Sequence, residues 1–273
     1  MQGVDESEAK QVYAKQLLEA CGGDPKLALE QLKIAAKAKR NAAKYTPKNS
    51  EVVVSVDDVS KSYKMGKTRI EALKGASLQI HKGEFVAITG TSGSGKSTLL
   101  QLIGGLDKPS AGTITVLGQD LKKLRDGKLS HFRNRTIGFV FQFFYLQPFL
   151  RLQTNIEVPA MFARTRRALR AAKSNETAET VGLADRLSHY PRELSGGQMQ
   201  RAAIARALQN NPDILLADEP TGNLDSTNAA AIFKLFQQIR DERGATVVVV
   251  THDLTLASLA DRAIHMSDGR ITA

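Results

Sequence analysis

The pattern of apolar and polar positions changes character near residue 51. Before it, Ala9, Val12, Tyr13, Leu17 and Ala20 recur at helical spacing through residues 8–21. Gly22 and Gly23 end that stretch. Asp24 is placed to cap a second helix, Pro25 suits its first turn, and Leu29, Leu32 and Ala36 continue the period. A small helical hairpin is expected, basic in its second half and followed by a linker at 46–50. Beyond residue 51 short apolar runs alternate with helical patterns. Residues 52–56 and 76–80 read as strands flanking a turn-rich stretch, and 85–89 as a buried strand running into a glycine-rich loop and a helix. Residues 113–116 and 137–141 are further strand candidates, and 156–190 read as mostly helical. Residues 214–217 and 245–250 are continuous apolar runs of the kind that strands buried on both faces show. Strands alternating with helices imply a parallel sheet covered on both sides. The expected division is a helical extension with linker over 1–50 and one α/β domain over 51–273.

Composition narrows the function classes. No apolar run reaches the roughly 18–20 residues that span a bilayer. The acidic N-terminal stretch lacks the apolar region of a signal peptide. A cytoplasmic protein is expected, with any membrane-spanning part on another chain. Cys21 is the only cysteine, which rules out an intramolecular disulfide and a cysteine-based zinc site, and no HExxH pairing occurs among the five histidines. The net charge of +10 fits nucleic acid, an anionic membrane surface or simple solubility. Two basic stretches stand out: Lys122, Lys123, Arg125, Lys128, Arg133 and Arg135, then Arg164, Arg166, Arg167, Arg170 and Lys173. They read as solvated faces, or as a surface for anionic headgroups or an acidic partner loop.

The chemistry begins at Gly90-Thr91-Ser92-Gly93-Ser94-Gly95-Lys96-Ser97, which matches GxxxxGK[ST] between an apolar strand and a helical stretch containing Leu99, Leu100 and Leu102. Glycines let backbone N–H groups turn inward around phosphate oxygens, and the helix start adds a favourable dipole. Lys96 can reach the β- and γ-phosphates, and the Ser97 hydroxyl can ligate Mg²⁺. The ATP-contacting set is expected to extend to Thr98. A second element is the apolar strand that ends in Asp218 and Glu219. Asp218 is expected beside the phosphate loop as a Mg²⁺ ligand. Glu219 is expected to polarise a water for in-line attack on the γ-phosphate.

Leu194-Ser195-Gly196-Gly197-Gln198, ahead of a helix at 198–209, decides the class of phosphate-loop protein. It resembles the LSGGQ signature of ABC ATPases. The resemblance covers residues 52–273. It implies a P-loop α/β fold: a RecA-like parallel-sheet core, an antiparallel β subdomain and an α-helical subdomain. Other positions fall in the family's order. Tyr63 matches the aromatic that stacks on adenine. Gln142 matches the glutamine that senses Mg²⁺ and water and touches the membrane subunit. Asp225, in Thr221-Gly-Asn-Leu-Asp, matches the acid of the loop that crosses the dimer interface. His252 matches the histidine that contacts the γ-phosphate and helps hold Glu219. The stretches around Gln142, Asn155, Tyr190 and Pro220 look like the lipoprotein-release and macrolide-export subfamily, with the cell-division ATPase close by. Met199 stands where glutamine is more usual, and residues 1–50 have no counterpart in the family pattern.

The resemblance implies an ATP-hydrolysing subunit that works as a head-to-tail dimer. Each site would join Lys96, Ser97, Asp218 and Glu219 of one copy to Ser195, Gly196 and Gly197 of the other. ATP and Mg²⁺ are the implied ligands. A separate transmembrane permease is the implied partner, which would hold the chain peripherally at the cytoplasmic side of the inner membrane; no nucleic acid is expected. Two competing expectations remain at this point. One is an ABC ATPase of repair or translation that acts on nucleic acid or ribosomes. The other is a module that holds ATP without turning it over.

Overall fold

The computed structural model describes residues 49–66 and 68–272, with isolated positions before them (18, 23–26, 28, 29 and 33). The hairpin expected over 1–50 therefore lies mostly outside the described residues.

Two sheets form the body. The first is antiparallel, with strands β1 (Val52–Met65), β2 (Thr68–His81), β4 (Ala111–Val116) and β5 (Gln119–Asp120) in the order β2-β1-β4-β5. The second contains β3 (Phe85–Gly90), β6 (Ile137–Val140), β7 (Ile214–Asp218), β8 (Thr246–Val250), β9 (Arg262–Ser267) and β10 (Arg270–Ile271), in the order β10-β9-β3-β8-β7-β6. Every neighbouring pair in it is parallel except β10–β9. Across the described residues of 49–272 the α-helices are α1 (Lys96–Ile103), α2 (Asp126–Thr136), α3 (Leu152–Phe162), α4 (Arg167–Thr180), α5 (Gly196–Leu208), α6 (Ser226–Arg243) and α7 (Leu254–Ala257).

Period-two geometry divides the parallel strands between two cores. Val86, Ile88, Leu216, Val248 and Val250 face one side and pack with Leu99, Leu100, Leu102 and Ile103 of α1 and with Val54, Val56 and Ile114 of the antiparallel sheet. Phe85, Leu215, Ala217, Val247 and Val249 face the other and pack with Ile204 and Leu208 of α5 and Phe233 and Phe236 of α6. Burial on both faces is why these strands read as unbroken apolar runs.

The antiparallel sheet departs from expectation. β1 and β2 run 14 residues each, where five-residue strands with a turn-rich stretch between them were expected. Their pairing shifts register at four places, between Val52 and Val54 and then from Val56 onward to Ser62. Each shift breaks the apolar alternation that a strand otherwise shows. Phe141 falls outside β6, and α5 begins at Gly196, two residues before the expected start.

Candidate functional site

In a parallel sheet, ligands bind beyond the carboxyl ends of the strands. Four strands deliver candidate residues to that edge: β3 ends in Gly90, β7 in Asp218, β8 just before Thr251 and His252, and β6 just before Gln142.

The glycine loop after β3 has the backbone that an anion cradle requires. Gly90 has φ 148°, Gly93 79° and Gly95 98°, values that L-residues seldom adopt. A Cβ on Gly90 would overlap the Met266 carbonyl, and one on Gly95 would overlap the Ala72 carbonyl and stand 2.9 Å from Leu73 Cδ2. Gly93 faces open space. Lys96 opens α1 and donates to the carbonyls of Gly90 (2.9 Å) and Thr91 (2.8 Å). Burial pushes its ammonium below the usual lysine value, while Glu219 and Asp218 pull it back up. Ser94 is buried and its hydroxyl has no hydrogen-bond partner, a polar group left open beside the glycine loop.

The second acidic site meets the first. Ser97 Oγ, in the first turn of α1, donates to Asp218 Oδ1 at the end of β7 at 2.8 Å. Burial raises the Asp218 carboxyl above its ordinary value, against the hydrogen bond from Ser97. A hydroxyl and a carboxylate are the hard oxygen donors that suit Mg²⁺, which takes few protein ligands and completes its shell with phosphate oxygens and water. The residues present fit the ion.

Glu219 sits one residue past β7 with φ 45°, an unfavourable conformation for a side chain with a Cβ. Two backbone bonds hold it there. Its N–H donates to the Val250 carbonyl (3.0 Å), and its carbonyl accepts from the Gly222 N–H (3.1 Å). Its Oε2 lies 2.8 Å from His252 Nδ1. That hydrogen bond brings the Glu219 carboxyl below its usual range despite burial, and it raises the His252 imidazole above its own.

Gln142 meets the following loop rather than the Ser97–Asp218 pair. A Cβ on Gly222 would stand 2.9 Å from Gln142 Nε2, and Asn223 Nδ2 donates to the Gln142 carbonyl at 3.0 Å. Tyr63, 37% exposed in β1, places its hydroxyl against Asp107 at 3.0 Å and against the Thr98 side chain.

The 194–198 stretch is built as a helix start. Ser195 caps α5 by accepting from Gln198 N (3.3 Å), and Gln198 Oε1 accepts from Ser195 N (2.8 Å), a reciprocal capping box. Leu194 is buried and anchors the turn. Asp225 caps α6 with its side chain, accepting from Asn228 N at 2.9 Å and from Asn228 Nδ2 at 2.6 Å. The two helix starts touch: a Cβ on Gly197 would stand 2.7 Å from Asn228 Oδ1. Among the described residues, no hydrogen bond joins 194–198 to the glycine loop. The structure thus brings together Gly90 to Ser97, Asp218, Glu219 and His252, places Gln142 at their edge, and leaves the Ser195 turn and Asp225 apart. Sequence reasoning missed Lys61 and Asp107, which flank Tyr63; only their order along the chain was visible, and no motif marks them.

A further groove lies apart from this site. It measures about 800 Å³ and runs beside α2, β6 and α3, lined by Phe139, Phe141, Tyr145, Phe162, Arg133 and Arg206. Phe162 is 80% exposed on its rim.

Comparison with known proteins agrees with this geometry. The family model described as ABC transporter matches residues 73–222. The lipoprotein-releasing system ATP-binding protein LolD of Syntrophotalea carbinolica is 46% identical over 220 residues, 81% of this chain and 97% of its own length. The macrolide export ATP-binding/permease protein MacB of Shigella flexneri is 46% identical over 219 residues, 80% of this chain and 34% of that longer protein. A solved dimeric ATP-binding cassette in a post-hydrolysis state with ADP and Pi superposes with a TM-score of 0.75 at 44% identity, covering 81% of this chain and 97% of that one. This chain belongs to the ABC transporter family, among its ATP-hydrolysing, ATP-binding subunits.

Proposed function

We propose that residues 90–98, Asp218, Glu219, His252 and Tyr63 form an ATP site, and that its hydrolysis drives a separate membrane permease. The observation that carries this reading is the paired geometry at the strand ends. Ser97 meets Asp218 at 2.8 Å, and one residue on, Glu219 meets His252 at 2.8 Å. The glycine loop and the α1 start bind the phosphates, and Lys96 adds charge from within the loop. Ser97 and Asp218 would hold Mg²⁺, with Gln142 as its sensor, and the ion would supply neutralisation of phosphate charge. Glu219 stays ionised at neutral pH, as a group that orients and deprotonates the attacking water must. His252 holds that carboxylate in place and contacts the γ-phosphate. Tyr63 stacks on adenine.

The phosphate face opposite this cradle is supplied by a second copy, through Ser195, Gly196 and Gly197, with Gln198 and Leu194 shaping the turn. The separation of the Ser195 turn from the glycine loop within one chain, and the dimeric form of the solved relative, support a head-to-tail pair. Asp225 lies on the loop that meets the partner copy. The relative LolD, matched over 97% of its own length, is named as the ATP-binding protein of a lipoprotein-releasing system, which supports a permease on another chain. The groove beside α3, with its aromatic rim, is the docking surface for that subunit. No helix among the described residues is long and apolar enough to cross a membrane. Its attachment to the cytoplasmic face would then be through the permease. The nucleic-acid reading is not favoured, because the relatives named above are transporter proteins. In this reading residues 51–273 are the nucleotide-binding domain, and 1–50 is an appended module for protein docking.

The test is Glu219→Gln. It retains ATP binding and lowers turnover by about 10²–10⁴-fold, the typical worth of a positioned base. Near-normal hydrolysis by that variant refutes the assignment.

A further inference from the structure

Tyr63 is held by more than its own strand. The Lys61 ammonium, on a side chain only 11% exposed, lies 4.9 Å from the centre of the Tyr63 ring. The same ammonium donates to Asp107 Oδ1 at 2.7 Å and to the Lys108 carbonyl at 2.7 Å. The other oxygen of that carboxylate, Oδ2, accepts from the Tyr63 hydroxyl at 3.0 Å. Cation, carboxylate and ring thus close a triangle. One ring face meets a cation, which an aromatic quadrupole favours. The hydroxyl is tied down, and the carboxylate's two oxygens serve different partners.

The triangle also spans two parts of the fold. Lys61 and Tyr63 belong to β1, whereas Asp107 follows α1, the helix that the glycine loop opens. The Asp107 backbone is fixed relative to that helix: the N–H groups of Gly104, Gly105 and Leu106 donate to Leu100, Leu102 and Gln101. The Tyr63 hydroxyl also faces Thr98 of the same helix. The distance between ring and phosphate cradle is therefore set by side-chain bonds and not by the antiparallel sheet alone.

We propose that Asp107 and Lys61 are positioning residues for nucleobase recognition, holding Tyr63 as a preorganised stacking platform at a fixed distance from the glycine loop. This rests on the reading of Tyr63 and residues 90–98 as a nucleotide site. Preorganisation raises affinity by removing the cost of ordering the platform at binding. Burial pushes the Asp107 carboxyl up, but the bonds from Lys61, the Lys108 N–H and Tyr63 bring it below its ordinary value, so it stays a charged anchor. Burial and Asp107 together raise the Tyr63 phenol, which stays a neutral donor.

The experiment compares two probes on the full chain by calorimetry: ADP, which carries the base, and inorganic pyrophosphate, which uses the glycine loop alone. Stacking on an aromatic side chain accounts for about 5- to 150-fold in affinity, and a loosened platform forfeits part of it. Asp107→Ala and, separately, Lys61→Met are expected to weaken ADP binding about three- to tenfold and to leave pyrophosphate binding unchanged. In a Tyr63→Ala background, Asp107→Ala is expected to add nothing, because its effect runs through the ring. ADP affinity unchanged in both single variants overturns the proposal. So does an equal loss for pyrophosphate, which marks a general disturbance of the cradle. A native chain that binds neither probe defeats the nucleotide-site reading itself, and the proposal with it.

Discussion

Asn155 offers a sharp test of how the fold supports the site. It lies in α3, 1% exposed, and its amide gathers the loop that joins β6 to α3. Oδ1 accepts from Gln147 N at 2.7 Å, and Nδ2 donates to the carbonyls of Gln147 (3.1 Å), Leu150 (3.0 Å) and Arg151 (3.3 Å). That loop contains Gln142, and among the described residues no other side chain makes as many bonds to it. Arg206 adds two, to Tyr145 O (2.6 Å) and Phe144 O (2.8 Å). Asn155→Ala removes three bonds of good length, to the Gln147 N–H and to the Gln147 and Leu150 carbonyls. At about 1 kcal/mol net for each bond, the loss is about 3 kcal/mol. For a domain of this size, that lowers Tm by about 6–12 °C. Native-state hydrogen exchange localises it: the Gln147 amide should exchange about 10²-fold faster, the equivalent of the same free energy. A Tm within about 2 °C of the native value, with Gln147 exchange unchanged, would refute the claim that this amide organises the loop.

The Glu219–His252 contact predicts a titration. His252 has a folded pKa above its unfolded value, so its contribution is full below the unfolded value and is lost as pH rises through the folded one. Glu219 has a depressed folded pKa, so its contribution holds above the ordinary carboxyl value and is lost as pH falls through the folded one. NMR titration should show the His252 imidazole above the ordinary histidine value and returning toward it in Glu219→Gln; an identical titration in both chains would contradict the pairing. The glycine loop predicts a contrast. Gly93→Ala meets only the left-handed backbone penalty of about 1–2 kcal/mol, whereas Gly95→Ala adds overlap with the Ala72 carbonyl and should cost upward of about 3 kcal/mol in urea unfolding. Equal losses would show that the loop relaxes freely.

The central sheet was legible because its strands are buried on both faces. Residues 85–89, 214–217 and 245–250 read as strands from apolar content alone, and they form β3, β7 and β8. The glycine loop was legible because its backbone angles demand particular residues at fixed spacing. The long β1–β2 ribbon was not, since its register shifts scramble the alternation that a strand signal depends on. The Lys61–Asp107–Tyr63 triangle was invisible for another reason: its members lie 44 and 46 residues apart in pairs that only the fold brings together. The positive φ at Glu219 is likewise a product of its neighbours, since nothing in an Ala-Asp-Glu-Pro sequence specifies a left-handed glutamate.

The account turns on a nucleotide site that one copy cannot complete. Sedimentation of the Glu219→Gln chain, with MgATP and then with MgADP, reads this directly. The account predicts a species of twice the 29.7 kDa chain mass with ATP, reverting to the single chain with ADP. A chain that binds ATP yet sediments as a single copy at every concentration, with the permease supplied as well, would contradict it.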